Sequence, residues 1–378
     1  MDLDKILNDN NIVYQKNNNE YIASFWSNKQ RQGNSLHEIS YRACFKSELP
    51  NFFIKLFSKK NDWIYDPFMG RGTTVLESLL LNRNCIGNDI NPLSQMLIEP
   101  RLNNINYNDV ENRLENITLT NYNIGENKDL LAFYHPKTLE HLLCLKNYFL
   151  DHNLDMIDKW IRMIALNRLT GHSPGFFSGY TLPPNQAVSI KSQLKINKRK
   201  NLIHLEKNIK HIILKKTKSL LLNEQHISNS YILTCSDSRK NITIDDNKID
   251  LIITSPPFLN VIDYNEDNWL RMWFANIEPP KISIYKNIHD WSVFISKCIK
   301  DYNRVLKSGG ICCIEVGDVK KGKDILKNIV VDAMKIEGFH VLGVLINKQE
   351  FSKTSSIWGM DNNKKGTNFQ YIIIGQKE

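Results

Sequence analysis

The chain has 378 residues, 42% of them hydrophobic, enough for one large or two moderate domains with a sizeable core. Its formal net charge of +9 favours a polyanionic partner such as nucleic acid, although Lys and Asn abound throughout, as in a chain from an AT-rich genome, and that alone raises the charge. The seven cysteines show no Cys-x-x-Cys spacing, and there is neither a signal peptide nor an 18-residue apolar run, so a disulfide framework, a zinc or other metal site and a membrane span are not expected and a cytoplasmic location is.

Residues 1–35 are polar and Asn-rich, with an apolar cluster from Tyr21 to Trp26, and read as an N-terminal arm that touches DNA or folds over a cofactor. Leu49, Phe52, Phe53, Leu56 and Phe57 fall at helical spacing, which predicts a helix from about Ser47. Trp63-Ile64-Tyr65 is a short strand that runs into Asp66-Pro67-Phe68-Met69-Gly70-Arg71-Gly72-Thr73-Thr74, and Val75 to Leu81 continue as a helix. Strand, Gly-rich turn and helix open a nucleotide-binding βαβ unit. The turn lacks the Lys of a phosphate loop and the third Gly of the dinucleotide fingerprint. An acidic residue before it and a bulky Phe within it suit a ligand with an amino-acid end and an adenosine end. The next strand, Cys85 to Gly87, ends at Asn88-Asp89-Ile90-Asn91-Pro92, and Asp89 lies 23 residues after Asp66. An acidic side chain there grips ribose hydroxyls; the same residues also suit a helix cap.

Residues 101–228 change in character, with helical periodicity in Leu139 to Leu150 and Met156 to Leu169. Within them Thr170 to Gln186 gathers glycines, prolines and aromatics, and Lys191, Lys195, Lys198, Arg199 and Lys200 follow closely. Basic residues beside exposed aromatics, amides and hydroxyls are the ingredients of phosphate and base-edge contacts, which makes His172, Ser173, Phe176, Tyr180, Asn185, Gln186, Lys195, Lys198 and Arg199 candidate DNA ligands. A long structural loop beside a solvated basic face is the other reading. His172 has no partner at metal-ligand spacing.

The α/β alternation resumes at Ser230 to Cys235, with Asp237 placed to take the amino group of an adenine. Ile249 to Ile253 is a buried strand of a parallel sheet, and Ser255-Pro256-Pro257-Phe258 must end it, because neither proline can donate to a ladder. Ligands of open α/β sheets sit at the carboxyl ends of strands. The Ser255 hydroxyl and the Pro256 carbonyl, held by two fixed φ angles, offer two acceptors for an exocyclic amine, and Phe258 offers a stacking face. Asn260, Asp263, Tyr264 and Trp269 follow as a stretch that closes over a base. A helix from Asp290 to Leu306 is expected to stop at Ser308-Gly309-Gly310. Strands at Ile311 to Gly317, Val341 to Ile346 and Tyr371 to Ile374, a helix from Ile325 to Glu337 and a loop around 353–359 complete the chain.

The two motifs together resemble the amino-group DNA methyltransferases, Asp66 to Thr74 their first motif and Thr254 to Phe258 their catalytic motif. In that family Ser-Pro-Pro-Phe accompanies methylation of cytosine N4, whereas Asp-Pro-Pro-Tyr accompanies adenine N6. The resemblance implies a Rossmann-like α/β fold with a mostly parallel seven-stranded sheet and a mainly helical insert. It splits the catalytic domain into residues 36–100 and 229–378, around an insert at 101–228 that serves as target-recognition region. It implies S-adenosyl-L-methionine as cofactor, held by Phe45, Asp66, Phe68, Gly70, Gly72, Thr73, Asp89, Ile90, Asp237 and Thr254. It implies Ser255, Pro256, Pro257 and Phe258 as catalytic residues, a flipped cytosine in double-stranded DNA as substrate, and a cognate restriction endonuclease as functional partner. Adenine N6 methylation on the same scaffold, an RNA methyltransferase and a non-catalytic DNA-binding module are the alternatives.

Overall fold

The computed structural model describes residues 1–23, 33–41, 44–120, 122–181, 187–223, 227–241, 243–257, 259, 264–280, 285, 287–317, 325–348 and 369–378. Of the sites expected from sequence, Phe258, Asn185, Gln186, Asn260, Asp263 and the 353–359 loop lie outside these residues.

Short apolar runs between helices build the centre of a sheet. Its strands are β3 (Trp63–Asp66), β4 (Asn84–Asn88), β5 (Tyr231–Thr234), β6 (Ile249–Thr254), β7 (Leu306–Gly317), β8 (Phe339–Lys348) and β9 (Phe369–Lys377). They follow the order β8-β9-β7-β6-β3-β4-β5, and β9 runs antiparallel to both its neighbours. The carboxyl ends of β3 to β7 therefore share one edge. Side-chain alternation divides the core between the two faces. Ile64, Cys85, Leu251, Ile253, Ile311 and Cys313 face one side, with residues of α2 (Glu48–Phe57), α3 (Thr73–Leu80) and α4 (Pro92–Ile98). Tyr65, Ile86, Ile252, Cys312 and Ile314 face the other, with α11 (Ile288–Val305) and α12 (Ile325–Ile336).

Two expectations need correction. The N-terminal stretch is not a free arm: α1 (Leu3–Asp9) leads to a hairpin of β1 (Gln15–Asn17) and β2 (Glu20–Ala23). Strand β2 pairs in parallel with β8, Glu20 opposite Val344, with Tyr21 buried, so the described sheet has nine strands and not seven. Leu3 and Leu7 of α1 are buried along with Tyr21, and a four-residue strand with one fully buried side chain is too short a pattern to read from sequence. Gly309 likewise does not end helix α11. The helix stops at Leu306, whose extended backbone passes directly into β7, and Ser308-Gly309-Gly310 lie inside that strand beside a register shift against β6.

The insert is helical as expected. It contains α5 (Tyr107–Asn116), α6 (Pro136–Asp151), α7 (Met156–Arg168), α8 (Ile190–Lys200) and α9 (Ile209–Leu220). Helix α7 is its spine: Trp160, Ile161, Met163 and Ile164 are buried, and the Trp160 indole donates to Thr217 Oγ1 at 3.1 Å. Helix α10 (Tyr264–Ala275), which follows the Pro-Pro turn, packs against α7 and α4. No helix of the described residues is long and apolar enough to cross a membrane.

Candidate active site

Strand β3 ends at Asp66, and the chain turns at once through Gly70 and Gly72, both with positive φ (50° and 76°). Gly72 has a second constraint, since a Cβ there would stand 2.4 Å from Ile98 Cγ1. The turn is pinned to the next strand: Gly70 N–H donates to Asp89 Oδ2 at 2.9 Å, while Asn91 N–H donates to Asp89 Oδ1 at 2.9 Å. Each carboxylate oxygen keeps further lone-pair capacity for hydroxyl donors. Burial raises the Asp89 carboxyl above its ordinary range, opposed by these backbone donors. Ile90 beside it is an exposed apolar side chain.

Asp66 is buried at the tip of β3. It accepts from Thr254 Oγ1 at 2.8 Å and from Phe68 N–H at 3.1 Å. Loss of water around it pushes its carboxyl up to about 7, against the pull of hydrogen bonds from Thr254, Thr74 and the Phe68 amide. Thr254 is the last residue of β6, and Thr74 Oγ1 donates to the Ile253 carbonyl at 3.4 Å. The glycine turn and the Pro-Pro turn are therefore adjacent. Thr73 is buried in the first turn of α3 and accepts from Arg71 Nε at 3.3 Å.

Ser255 is half-buried and Pro256 buried. The Pro257 carbonyl accepts from the Trp291 indole at 3.0 Å. That bond, from a buried side chain of α11, fixes the turn from below. Ser255 adjoins Glu315 of β7 and draws that buried carboxyl's pKa back down.

The segment around Phe45 passes over the glycine turn. A Cβ on Gly70 would meet Tyr41 Cε1 at 3.6 Å and Cys44 Sγ at 3.7 Å. Arg71 holds this strap, donating to the carbonyls of His37 (3.1 Å), Ile39 (2.9 Å) and Phe45 (3.4 Å). The Ser40 carbonyl accepts from Asn167 of α7 at 3.2 Å and from Arg271 of α10 at 2.9 Å. Phe68 leans to the opposite face, 5.8 Å between ring centroids from Phe294, which stacks on Tyr285 at 4.5 Å. Asp237 stands beyond β5 at the same sheet edge, but Arg239 already engages its carboxylate and lowers its pKa. Phe45, Asp66, Phe68, Gly70, Gly72, Thr73, Asp89, Ile90, Asp237, Thr254, Ser255, Pro256 and Pro257 thus gather along the carboxyl edge of β3 to β6.

The insert residues divide. His172 and Ser173 are exposed, and so are Lys195, Lys198 and Arg199 on α8. Phe176, expected as an exposed aromatic, is buried instead, with the Arg168 guanidinium 4.6 Å from its ring centroid. Gly171 is what lets it in, since a Cβ there would stand 2.3 Å from the Phe176 ring. Tyr180 is half-buried under Lys200, 4.6 Å away. Trp269, expected over a base, donates its indole to the Ala187 carbonyl at 3.2 Å and packs on Phe133, so it joins α10 to the insert.

Sequence reasoning missed Arg71, Asn88, Trp291 and Glu315. Asn88 ties the ends of β3 and β5 to that of β4, its amide donating to the Pro67 (3.3 Å) and Ser236 (2.9 Å) carbonyls while its oxygen accepts from Thr234 Oγ1 (2.7 Å). A charged residue inside a Gly-x-Gly turn and a carboxylate in an apolar strand were the available signals for Arg71 and Glu315.

A parallel sheet closed by an antiparallel last strand, with a glycine turn after one central strand and a Pro-Pro turn after its neighbour, defines a Rossmann-like methyltransferase scaffold. The chain belongs to the DNA methylase family, whose model matches residues 3–98 and 249–378. It is 28% identical over 302 residues to Type II methyltransferase M.BsoBI of Geobacillus stearothermophilus, covering 70% of this chain and 57% of that protein. It is 31% identical over 88 residues to Type II methyltransferase M.MthZI of Methanothermobacter thermautotrophicus, covering 22% of this chain and 25% of the relative. The chain thus spans just over half of the first relative and a quarter of the second. Among solved structures it is similar to a TehB-like SAM-dependent methyltransferase from Corynebacterium glutamicum, with a TM-score of 0.30, 8% identity and 87% of each chain covered.

Proposed function

We propose that this protein transfers a methyl group from S-adenosyl-L-methionine to the exocyclic N4 of cytosine in duplex DNA, the base being flipped out of the stack into the crevice above β6. The observation that carries this reading is the Thr254–Asp66 hydrogen bond, which sets an amine-gripping Ser-Pro-Pro turn against the glycine turn. The residues present fit the cofactor. Asp66 offers a buried carboxyl for a cationic amino end, Asp89 offers spare acceptors for ribose hydroxyls, and Ile90 and Phe68 offer apolar surface for a purine ring. S-adenosyl-L-methionine, when bound, supplies an electrophilic methyl carbon.

The chain's own part is positioning and polarisation. Ser255 and the Pro256 carbonyl accept the two N–H bonds of the target amine, and Trp291 keeps the turn from shifting by holding Pro257. Phe258 stacks on the base. An amine held this way loses conjugation with its ring, and its lone pair points at the methyl carbon. The insert at 101–228 reads the target, and the exposed Lys195, Lys198 and Arg199 contact phosphates. Such an enzyme works in the cytoplasm beside a restriction endonuclease of the same specificity.

The test is to incubate the purified chain with duplex DNA and the methyl donor, digest the DNA to nucleosides and identify the product by mass. N4-methylcytosine is expected, with turnover at least ~100-fold lower in Ser255→Ala. N6-methyladenine would move the target to adenine, and an absence of methylated nucleoside would overturn the reading.

A further inference from the structure

Glu315 is the one carboxylate on the central part of β7, and nothing in the mechanism above uses it. It is 5% exposed, and its Oε1 has no hydrogen-bond partner among the described residues. An ionisable group left half-satisfied in a core is costly, and such groups cluster where chemistry needs them. Strand register explains where it points. Thr254 of β6 pairs with Ile314 of β7, so the next residues, Ser255 and Glu315, stand side by side where the chain leaves the sheet. Ile314 and Val316 face the α11 and α12 side, and Glu315 alternates to the side of Ile253 and Cys313. Its antiparallel partner on β9 is Ile372, which offers no polar group. Ser255 is the neighbouring side chain that opposes the effect of burial on its carboxyl.

We propose that Glu315 is a positioning residue that acts through Ser255, orienting the serine hydroxyl and taking the proton that the target amine must lose. The inference rests on the amine-methylating reading above. The balance is complete. A bond forms between the amine nitrogen and the methyl carbon, and the carbon–sulfur bond breaks with its electron pair left on sulfur. The nitrogen, now carrying one bond too many, gives an N–H proton to Ser255 Oγ as the Ser255 hydroxyl proton passes to the Glu315 carboxylate. Glu315 ends neutral and returns its proton to solvent once the product leaves. Burial, eased by Ser255, raises its carboxyl to about 7, so either protonation state is accessible near neutral pH. No charged side chain of the described residues contributes to that shift.

The experiment is single-turnover methylation of duplex DNA at saturating cofactor, comparing the wild-type protein with Glu315→Gln. Gln keeps the shape and an oxygen acceptor but takes no proton. The expected result is a methyl-transfer rate about 100-fold lower, with cofactor and DNA dissociation constants within about threefold of wild type. The wild-type rate should fall on the acid side with an ionisation near 7 that Gln removes. A Gln variant within about threefold of the wild-type rate overturns the inference and leaves the amine-methylating reading intact. A wild-type protein that methylates nothing fails the parent reading instead. Should Glu315→Gln not fold, the wild-type profile still decides, because a rate flat from pH 5.5 to 8 at saturating cofactor also overturns it.

Discussion

Thr254 Oγ1 donates to Asp66 Oδ1 across 2.8 Å, joining the last residues of two neighbouring parallel strands at the point where each chain leaves the sheet. One hydroxyl thereby couples the turn that would bind the methyl donor to the turn that would bind the acceptor. It also holds a carboxyl that burial has pushed up to about 7, far from the ordinary aspartate value of 3.8.

A folded-state pKa above the unfolded one means the fold binds a proton that the unfolded chain releases. Between pH 3.8 and about 7, Asp66 therefore makes the protein less stable as pH rises, and above about 7 the penalty is constant. Asp66→Asn removes the titration while keeping an oxygen for Thr254. Relative to wild type, the variant should gain on the order of 4 kcal/mol between pH 4 and pH 8, seen as a pH-dependent difference in denaturation midpoint. It should bind S-adenosyl-L-methionine at least ~10-fold more weakly, measured by calorimetry, because the proposed partner of the cationic amino group is gone. A difference in stability that does not change with pH would contradict the assignment.

The strands and the helices of the α/β core were legible because their apolar residues repeat at the periods that burial on one or two faces demands. The tip of β6 was legible because two prolines permit only an ending. Phe176 was misread since its burial depends on the missing side chain of Gly171, a complementarity between residues that only the folded loop reveals. Trp291 and Glu315 were missed for the converse reason. Trp291 sits on the apolar stripe of an amphipathic helix and Glu315 in an apolar strand, so both positions look like core, and the polar atom matters only because a distant turn arrives beside it.

Gly72 carries two demands that can be separated. Alanine there meets a backbone at φ 76° and a Cβ 2.4 Å from Ile98 Cγ1. Gly72→Ala should cost at least ~2 kcal/mol, the sum of left-handed strain and overlap. Adding Ile98→Ala should recover the overlap but not the strain, so the double variant should be less destabilised than the separate losses predict when unfolding is followed in urea. Strict additivity would mean the two side chains do not meet.

Trp291→Phe keeps an aromatic ring in the core and deletes the donor to the Pro257 carbonyl. Losing one such bond costs stability only ~1 kcal/mol. Its effect on turnover should be larger, about 10-fold or more, since the freed turn would displace the acceptors proposed to aim the amine. Cofactor affinity should be unchanged. Single-turnover rates beside binding isotherms check this, and equal losses in both would assign Trp291 to general packing.

Lys195, Lys198 and Arg199 stand out on the exposed face of α8, while Phe176 is buried against Arg168. Their proposed roles predict different signatures. Changing all three basic residues to Ala should weaken duplex binding for any sequence and reduce the slope of log K against log salt by about 2 to 3, since each phosphate contact contributes ~0.9. Unfolding midpoints should hardly move, because exposed side chains pack against little. Phe176→Ala should instead cost about 3 kcal/mol of stability with the salt slope intact. Fluorescence anisotropy across a salt series, read beside denaturation curves, separates the two. A triple variant with an unchanged slope would place the duplex on another face and leave α8 as a solvated helix.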